Sequence, residues 1–156
     1  MALFLTLFTM SPVISEIQAN AYEPYAAGEI TQEELYQIAR EPLKEFMLDQ
    51  TEDRSLELFC DLAGVDMPET REQAEELPLR IVVPSFMTSE LKHAFLIGFY
   101  LYIPFVLIDV VVSSTLMAMG MIMLPPSMIS MPFKLLLFIA LDGWQLLFST
   151  LVQSFN

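Results

Sequence analysis

Three ionisable residues lie inside long apolar runs and are the first candidates for chemistry: Asp109, Lys134 and Asp142. A charge in hydrocarbon is costly, so each marks a working or partner-contacting position. A carboxylate there relays protons or pairs with a cation, and an ammonium pairs with an acid or reaches back toward water. Methionine is the second signal. Met117, Met119, Met121, Met123, Met128 and Met131 are six of the chain's 11 methionines. A ring of such unbranched, polarizable side chains can close around cargo of variable shape; the plainer alternative is ordinary core or lipid-facing packing. Copper(I) suits thioether ligands, but no His or Cys accompanies these methionines. The one histidine, His93, follows Lys92 and has no triad-like company. Phosphate-loop, zinc and dinucleotide spacings are absent. The sequence thus argues against an enzyme and calls for no cofactor or metal.

The elements that must position these residues are two apolar stretches, about 94–123 and about 129–152, separated by Leu124-Pro125-Pro126-Ser127. Each is long enough to cross a bilayer, which takes about 20 apolar residues. Folded as a hairpin about the double proline, Asp109 stands at the depth of Asp142, and Lys134 at the depth of Met117. Asp109 and Lys134 are then offset by roughly 12 Å along the helix axis, too far for direct contact in one straight hairpin. Lys134 either snorkels to the near interface or meets an acid from a neighbouring subunit. The expectation here is an intersubunit charge pair, Asp109 with Lys134. Asp142 is a secondary polar membrane site, and Asp142-Gly143 marks either a helix break or a polar contact to a neighbouring helix. Pro104 predicts a kink, Gly98 and Gly120 allow close helix approach, and Trp144 reads as a packing or interface anchor.

The remaining charge lies elsewhere. Of 20 acids and seven bases, 17 acids and five bases fall between residues 22 and 91, so that block alone carries about −12 of the formal −13. An acidic block between apolar ends reads as an extramembrane domain, and its scarcity of bases favours the non-cytoplasmic side. Such a surface repels nucleic acid and anionic lipid, which excludes a nucleic-acid role. The single cysteine, Cys60, permits no internal disulfide.

Within the block the pattern is helical. Thr31 followed by Glu34 forms a capping box. Pro42 is placed to open a second helix, with Leu43, Phe46 and Met47 on one face. Leu56, Phe59, Cys60 and Ala63 share a side of a further helix that Gly64 ends. Residues 66–76 are a polar loop or weak helix. Residues 79–83, between Pro78 and Pro84, read as extended or loop. Thr88-Ser89-Glu90 carries helix-start chemistry for the first apolar stretch. At the other end, residues 1–14 are apolar but short for a span, and their first charge is Glu16; they read as the tail of a membrane helix that exits near Ser11-Pro12.

The run MTSELKHAFLIGFYLYIPFVLIDVVVSSTLMAMGMIMLPPSMISMPFKLLLFIALDGWQLLFSTLVQSF, with the earlier pieces LFLTLFTMSPVI, AYEPY, EPLKEFMLDQT and LELFCDLAG, resembles the FliP family of the flagellar type III export gate more than its injectisome (SctR) relatives. The resemblance covers nearly the whole chain. It implies an all-helical inner-membrane subunit of the flagellar basal body. Five copies would join FliQ and FliR in the export channel, FlhB and FlhA would complete the gate, and unfolded flagellar subunits would pass. It further implies a pore gasket of Met117, Met119, Met121 and Met123, and assigns family intramembrane charges to Asp109 and Lys134. Relative to that family the chain opens within the second apolar segment, after the signal peptide and first segment.

The expected fold is therefore all-α and oligomeric, a membrane-associated kinked helical hairpin plus a small acidic helical extramembrane domain. Residues 1–15 are a remnant of an apolar membrane helix, 16–87 the acidic periplasmic-side domain, and 88–156 the hairpin with its methionine-rich loop. The alternatives are an injectisome gate subunit, or a small transporter or channel subunit in which Asp109 and Asp142 relay protons.

Overall fold

The computed structural model describes residues 1–121 and 125–155, and the described residues are helical throughout, joined by turns and short loops. The helices are α1 (Ala2–Thr9), α2 (Ser11–Ile17), a π-helical turn (Gln18–Tyr22), α3 (Glu23–Ala26), α4 (Gln32–Asp49), α5 (Asp53–Ala63), α6 (Arg71–Glu76), α7 (Leu79–Ala118), α8 (Pro126–Ala140) and α9 (Gly143–Gln153). The chain divides into two compact units, Met1–His93 and Ala94–Asn156.

The first unit is built as the capping and spacing signals dictate. The Thr31 hydroxyl accepts the Glu34 N–H, and the Glu34 carboxylate accepts the Thr31 N–H at 2.7 Å, which starts α4. Gly64 ends α5 with φ +67°, a left-handed conformation that needs glycine. One apolar cluster joins Leu48 of α4, Leu56 and Cys60 of α5, Ala74 of α6 and Leu77 with Ile81 and Val82 at the start of α7. Burial pushes the Cys60 thiol above its ordinary pKa, so this cysteine is a core group.

Three expectations fail in this unit, each for a tertiary reason. Residues 79–83 are helical: Pro78 precedes the first turn of α7, and Ile81 and Val82 are almost wholly buried against α5 and α6. Burial of two β-branched residues outweighs the breaker signal of Pro84. Pro42 lies inside a continuous α4 instead of opening a new helix; the cap at Thr31 and the buried Lys44 and Leu48 hold the helix on both sides of it. Thr88-Ser89-Glu90 is mid-helix. Ser89 is buried, its hydroxyl donates to the Ser85 carbonyl (3.0 Å), and it accepts the backbone N–H of Glu52, the residue that precedes α5 (2.9 Å). Its capping chemistry serves α5 instead of α7.

Of the described helices, α7 alone is long and apolar enough to cross a membrane. Two bent pairs pass the same test if each counts as one span: Ala2–Thr9 with Ser11–Ala26, bent by 58°, and Pro126–Ala140 with Gly143–Gln153, bent by 60°. The short N-terminal run thus breaks at Met10, next to the expected Ser11-Pro12 exit.

Candidate functional site, a polar cluster in the apolar hairpin

In the second unit the sequence turns inside out. Phe95, Phe99, Tyr102, Leu107, Val111, Leu135, Leu136 and Ile139 point outward, whereas the described buried residues are Leu116, Ser130 and Gly143. Besides apolar contacts, α7 and α8 share a polar one. Lys134 Nζ donates to Asp109 Oδ2 at 2.6 Å, and Ser130 Oγ donates to Asp109 Oδ1 at 2.6 Å. Both carboxylate oxygens are therefore engaged, and Ser130 is fully buried. A second, longer contact links Ser130 Oγ to the Ser127 carbonyl at 3.3 Å.

This geometry corrects the expected 12 Å offset, because Asp109 and Lys134 of one chain meet directly. The reason is the position of the turn. α7 ends at Ala118 and α8 starts at Pro126, so the helices are related about the middle of 119–125 and not about the Pro125-Pro126 bond. Asp109 lies nine residues before the end of α7, and Lys134 eight residues after the start of α8. Their depths match to about one residue, roughly 1.5 Å. Ser130 and Lys134, four apart, then share one face of α8 and grip the same carboxylate. Ser130 carried no signal in the sequence, since a lone serine in an apolar run has too many bland roles.

Asp142 is not at the level of Asp109. It is exposed at the α8–α9 break, with φ 47°, and its side chain caps nothing. The expected break is real, and it is locked by packing. A Cβ on buried Gly143 would come within 2.4 Å of the Phe138 ring. That ring stacks on Phe105 (6.4 Å) and meets Trp144 edge-on (5.4 Å), and Trp144 stacks on Phe148 (5.9 Å). Trp144 makes these two ring contacts while remaining largely exposed. The elbow borders a half-open apolar pocket of about 220 Å³ between Leu101, Phe105, Phe138, Leu141 and Leu147.

Met117, Met119 and Met121 are largely exposed around the C-terminal end of α7, with Gly120 at φ +73° in the turn; Met123 lies outside the described residues. The histidine belongs to the first unit. Lys92 Nζ donates to Glu52 Oε2 at 2.5 Å, and His93 Nε2 lies 3.2 Å from Glu52 Oε1. The Lys92 hydrogen bond, with His93 adding to it, holds the Glu52 carboxyl below its ordinary value. This is a surface clasp of the acidic unit. Among the described residues no group of three or more His, Cys, Asp or Glu side chains is placed to hold a metal.

Residues 1–151 match the FliP family. The chain is 51% identical to the flagellar biosynthetic protein FliP of Bacillus subtilis over 99% of its own length and 69% of that protein. It is 50% identical to that of Pectobacterium carotovorum, covering 99% of this chain and 59% of the relative, and 46% identical to that of Aquifex aeolicus, covering 100% and 65%. The chain thus spans between about three fifths and seven tenths of these relatives. Asp109, Ser130, Lys134 and Asp142 all fall within the matched residues. With a family match across nearly its whole length and half of its residues shared with the Bacillus subtilis protein, the chain belongs to the FliP family of flagellar biosynthesis.

Proposed function

We propose that the chain is a subunit of the export channel of the flagellar type III secretion apparatus in the bacterial inner membrane. It assembles with copies of itself, five by family resemblance, and with FliQ and FliR. FlhB and FlhA complete the gate, and unfolded flagellar proteins are the cargo. The observation that carries this reading is the polarity of Ala94–Asn156, with large apolar side chains outward over most of the hairpin and a half-buried ion pair, backed by the fully buried Ser130, between its helices. Such a surface is stable only against lipid or against other apolar subunits. The acidic domain faces the periplasm in this reading, where its few bases offer no positive-inside signal.

Met117, Met119, Met121 and Met123 form the gasket. The exposure of Met117, Met119 and Met121 on a lone chain fits side chains that close against copies of themselves around a shared axis. A proton relay through Asp109 and Asp142 fits less well: Asp109 already has two donors, and Asp142 lies about 12 Å along α8 from Lys134.

Two experiments test the reading. Co-expression with FliQ and FliR followed by native mass measurement should give one large hetero-oligomer; a monomeric chain beside its companions sinks it. Replacing Met117, Met119, Met121 and Met123 by alanine should leave that oligomer intact and make the membrane leak small ions. A tight membrane in the quadruple variant removes the gasket.

A further inference from the structure

We propose that Ser130 is the positioning residue of the hairpin, and that with Asp109 and Lys134 it forms a lock that fixes the register of α7 against α8 within a single protomer. The two donors differ in reach. Lys134 carries its charge on a flexible four-carbon stem, so an ammonium–carboxylate pair survives sliding and rotation of one helix against the other. Ser130 carries its hydroxyl one bond beyond Cβ, so its 2.6 Å contact exists at one helix register only. A slip of one residue moves α8 by about 1.5 Å and turns it by roughly 100° per residue. That carries a fully buried hydroxyl away from Oδ1, while Lys134 can still follow Oδ2. Charge and precision are therefore supplied by different residues on successive turns of α8.

The buried site adds a second constraint. Once separated from Asp109, the Ser130 hydroxyl retains the Ser127 carbonyl, 3.3 Å away in the first turn of α8. The hydroxyl thus has an alternative acceptor, whereas Asp109 Oδ1 has no other donor among the described contacts. Loss of the contact falls on the carboxylate, and the hairpin is driven back to the register in which Oδ1 is satisfied. The lock closes without a second copy, since all three residues belong to one hairpin. It serves the proposed channel by presenting each protomer's hairpin in one register, and it rests on that reading only for this use.

The test is made on the full chain in detergent, so a failed export assay and a failed lock are separate outcomes. Spin labels at Val111→Cys and Leu136→Cys, both exposed positions, are introduced in a Cys60→Ala background, and labelled chain is diluted into unlabelled chain. The native hairpin should give one narrow distance distribution. Ser130→Ala should broaden it and displace its centre by about 1.5 Å or more per residue slipped. Ser130→Thr, which keeps the hydroxyl, should restore the native distribution. An unchanged distribution in Ser130→Ala, or a Thr variant no better than Ala, overturns the proposal. A second arm asks which chain supplies the partner. Asp109→Lys with Lys134→Asp in one chain keeps the charge pair but removes the carboxylate that Ser130 holds, so it should recover the mean distance without the narrow width, and the two single variants co-expressed in separate chains should recover neither. Recovery only in the mixed chains places the pair between protomers and overturns the lock.

Discussion

The two units of this chain solve opposite solvent problems with the same secondary structure. In Met1–His93 one apolar cluster, from α4 to the start of α7, is gathered inside while α1 stays exposed, and all charges but Lys44 lie outside it, as at Arg71, which pairs with Asp49 at 2.7 Å and Glu75 at 3.0 Å. In Ala94–Asn156 most large apolar residues face out, and beside the Phe105–Phe138 stack the contacts between α7 and α8 include an ion pair with a buried hydroxyl. Water drives the first arrangement, because burying apolar area is favourable only against water. Next to lipid or apolar subunits that drive vanishes, and the costly groups to hide are the polar ones. Helical pattern alone therefore does not say which face is the inside; the surrounding medium does.

The sharpest way to break that comparison is to truncate equivalent side chains in both units. Ile81→Ala should destabilise the acidic unit by about 2–5 kcal/mol, as expected for a fully buried isoleucine. Ile139→Ala, at a position 70% exposed, should change the isolated chain by no more than about 0.5 kcal/mol and show its loss only in the assembled complex. Thermal or denaturant unfolding of each variant, alone and assembled, measures both. Equal losses at the two positions in the isolated chain would falsify the inverted arrangement.

Removing one member of the ion pair comes next. Asp109→Ala leaves Lys134 unpaired in an apolar setting, a cost of about 2.5–3.5 kcal/mol for a lysine at mid-helix depth. Adding Lys134→Met to that variant should recover most of the loss, since the exposed stem is replaced by an apolar one of similar length. Yield of assembled complex on native gels reads the difference. No recovery in the double variant would mean that the pair itself, not the orphaned charge, matters.

A third effect is smaller and concerns the elbow. Gly143→Ala drives a methyl group into the Phe138 ring and should cost about 1–3 kcal/mol. Phe138→Leu in the same chain should relieve part of it by emptying the space the new Cβ needs. Helix content and unfolding midpoint follow the pair. If Gly143→Ala is neutral, the ring moves freely and the bend is not packed in place.

The smallest effect is electrostatic and confined to the acidic unit. Glu52 is held below its ordinary value chiefly by the Lys92 hydrogen bond, and Glu34 by the Thr31 N–H. A depressed carboxyl contributes stability that is fully present above the unfolded value near 4.5 and is lost as pH falls through the folded value. Acidification from about pH 5.5 to below pH 4 should therefore loosen α4 and α5, and Glu52→Gln should flatten that slope. Hydrogen exchange of the α5 amides across this range checks it.

Much of this was legible in the residues. The block charge, the Thr31–Glu34 cap, the Gly64 stop and the break at Asp142-Gly143 are local signals, each complete within a turn or two of chain. The candidate polar residues were legible too, because a charge in an apolar run is visible without a fold. Their pairing was not. Two residues 25 apart are matched by where one helix ends and the next begins, and a shift of the turn by a few residues changed a 12 Å gap into a 2.6 Å contact. Ser130, the hidden capping role of Ser89 and the helical state of 79–83 belong to the same class.

The sequence by itself determined that this chain is helical, divided between an acidic and an apolar part, and a member of one recognisable family; composition and short-range spacing suffice for each. Only the tertiary structure decided which polar groups meet, since that depends on helix register and on burial supplied by distant segments. The physical reason is one of range. Caps, stops and charge blocks act over a single helical turn, whereas a carboxylate's partner is chosen by the summed length of everything between them.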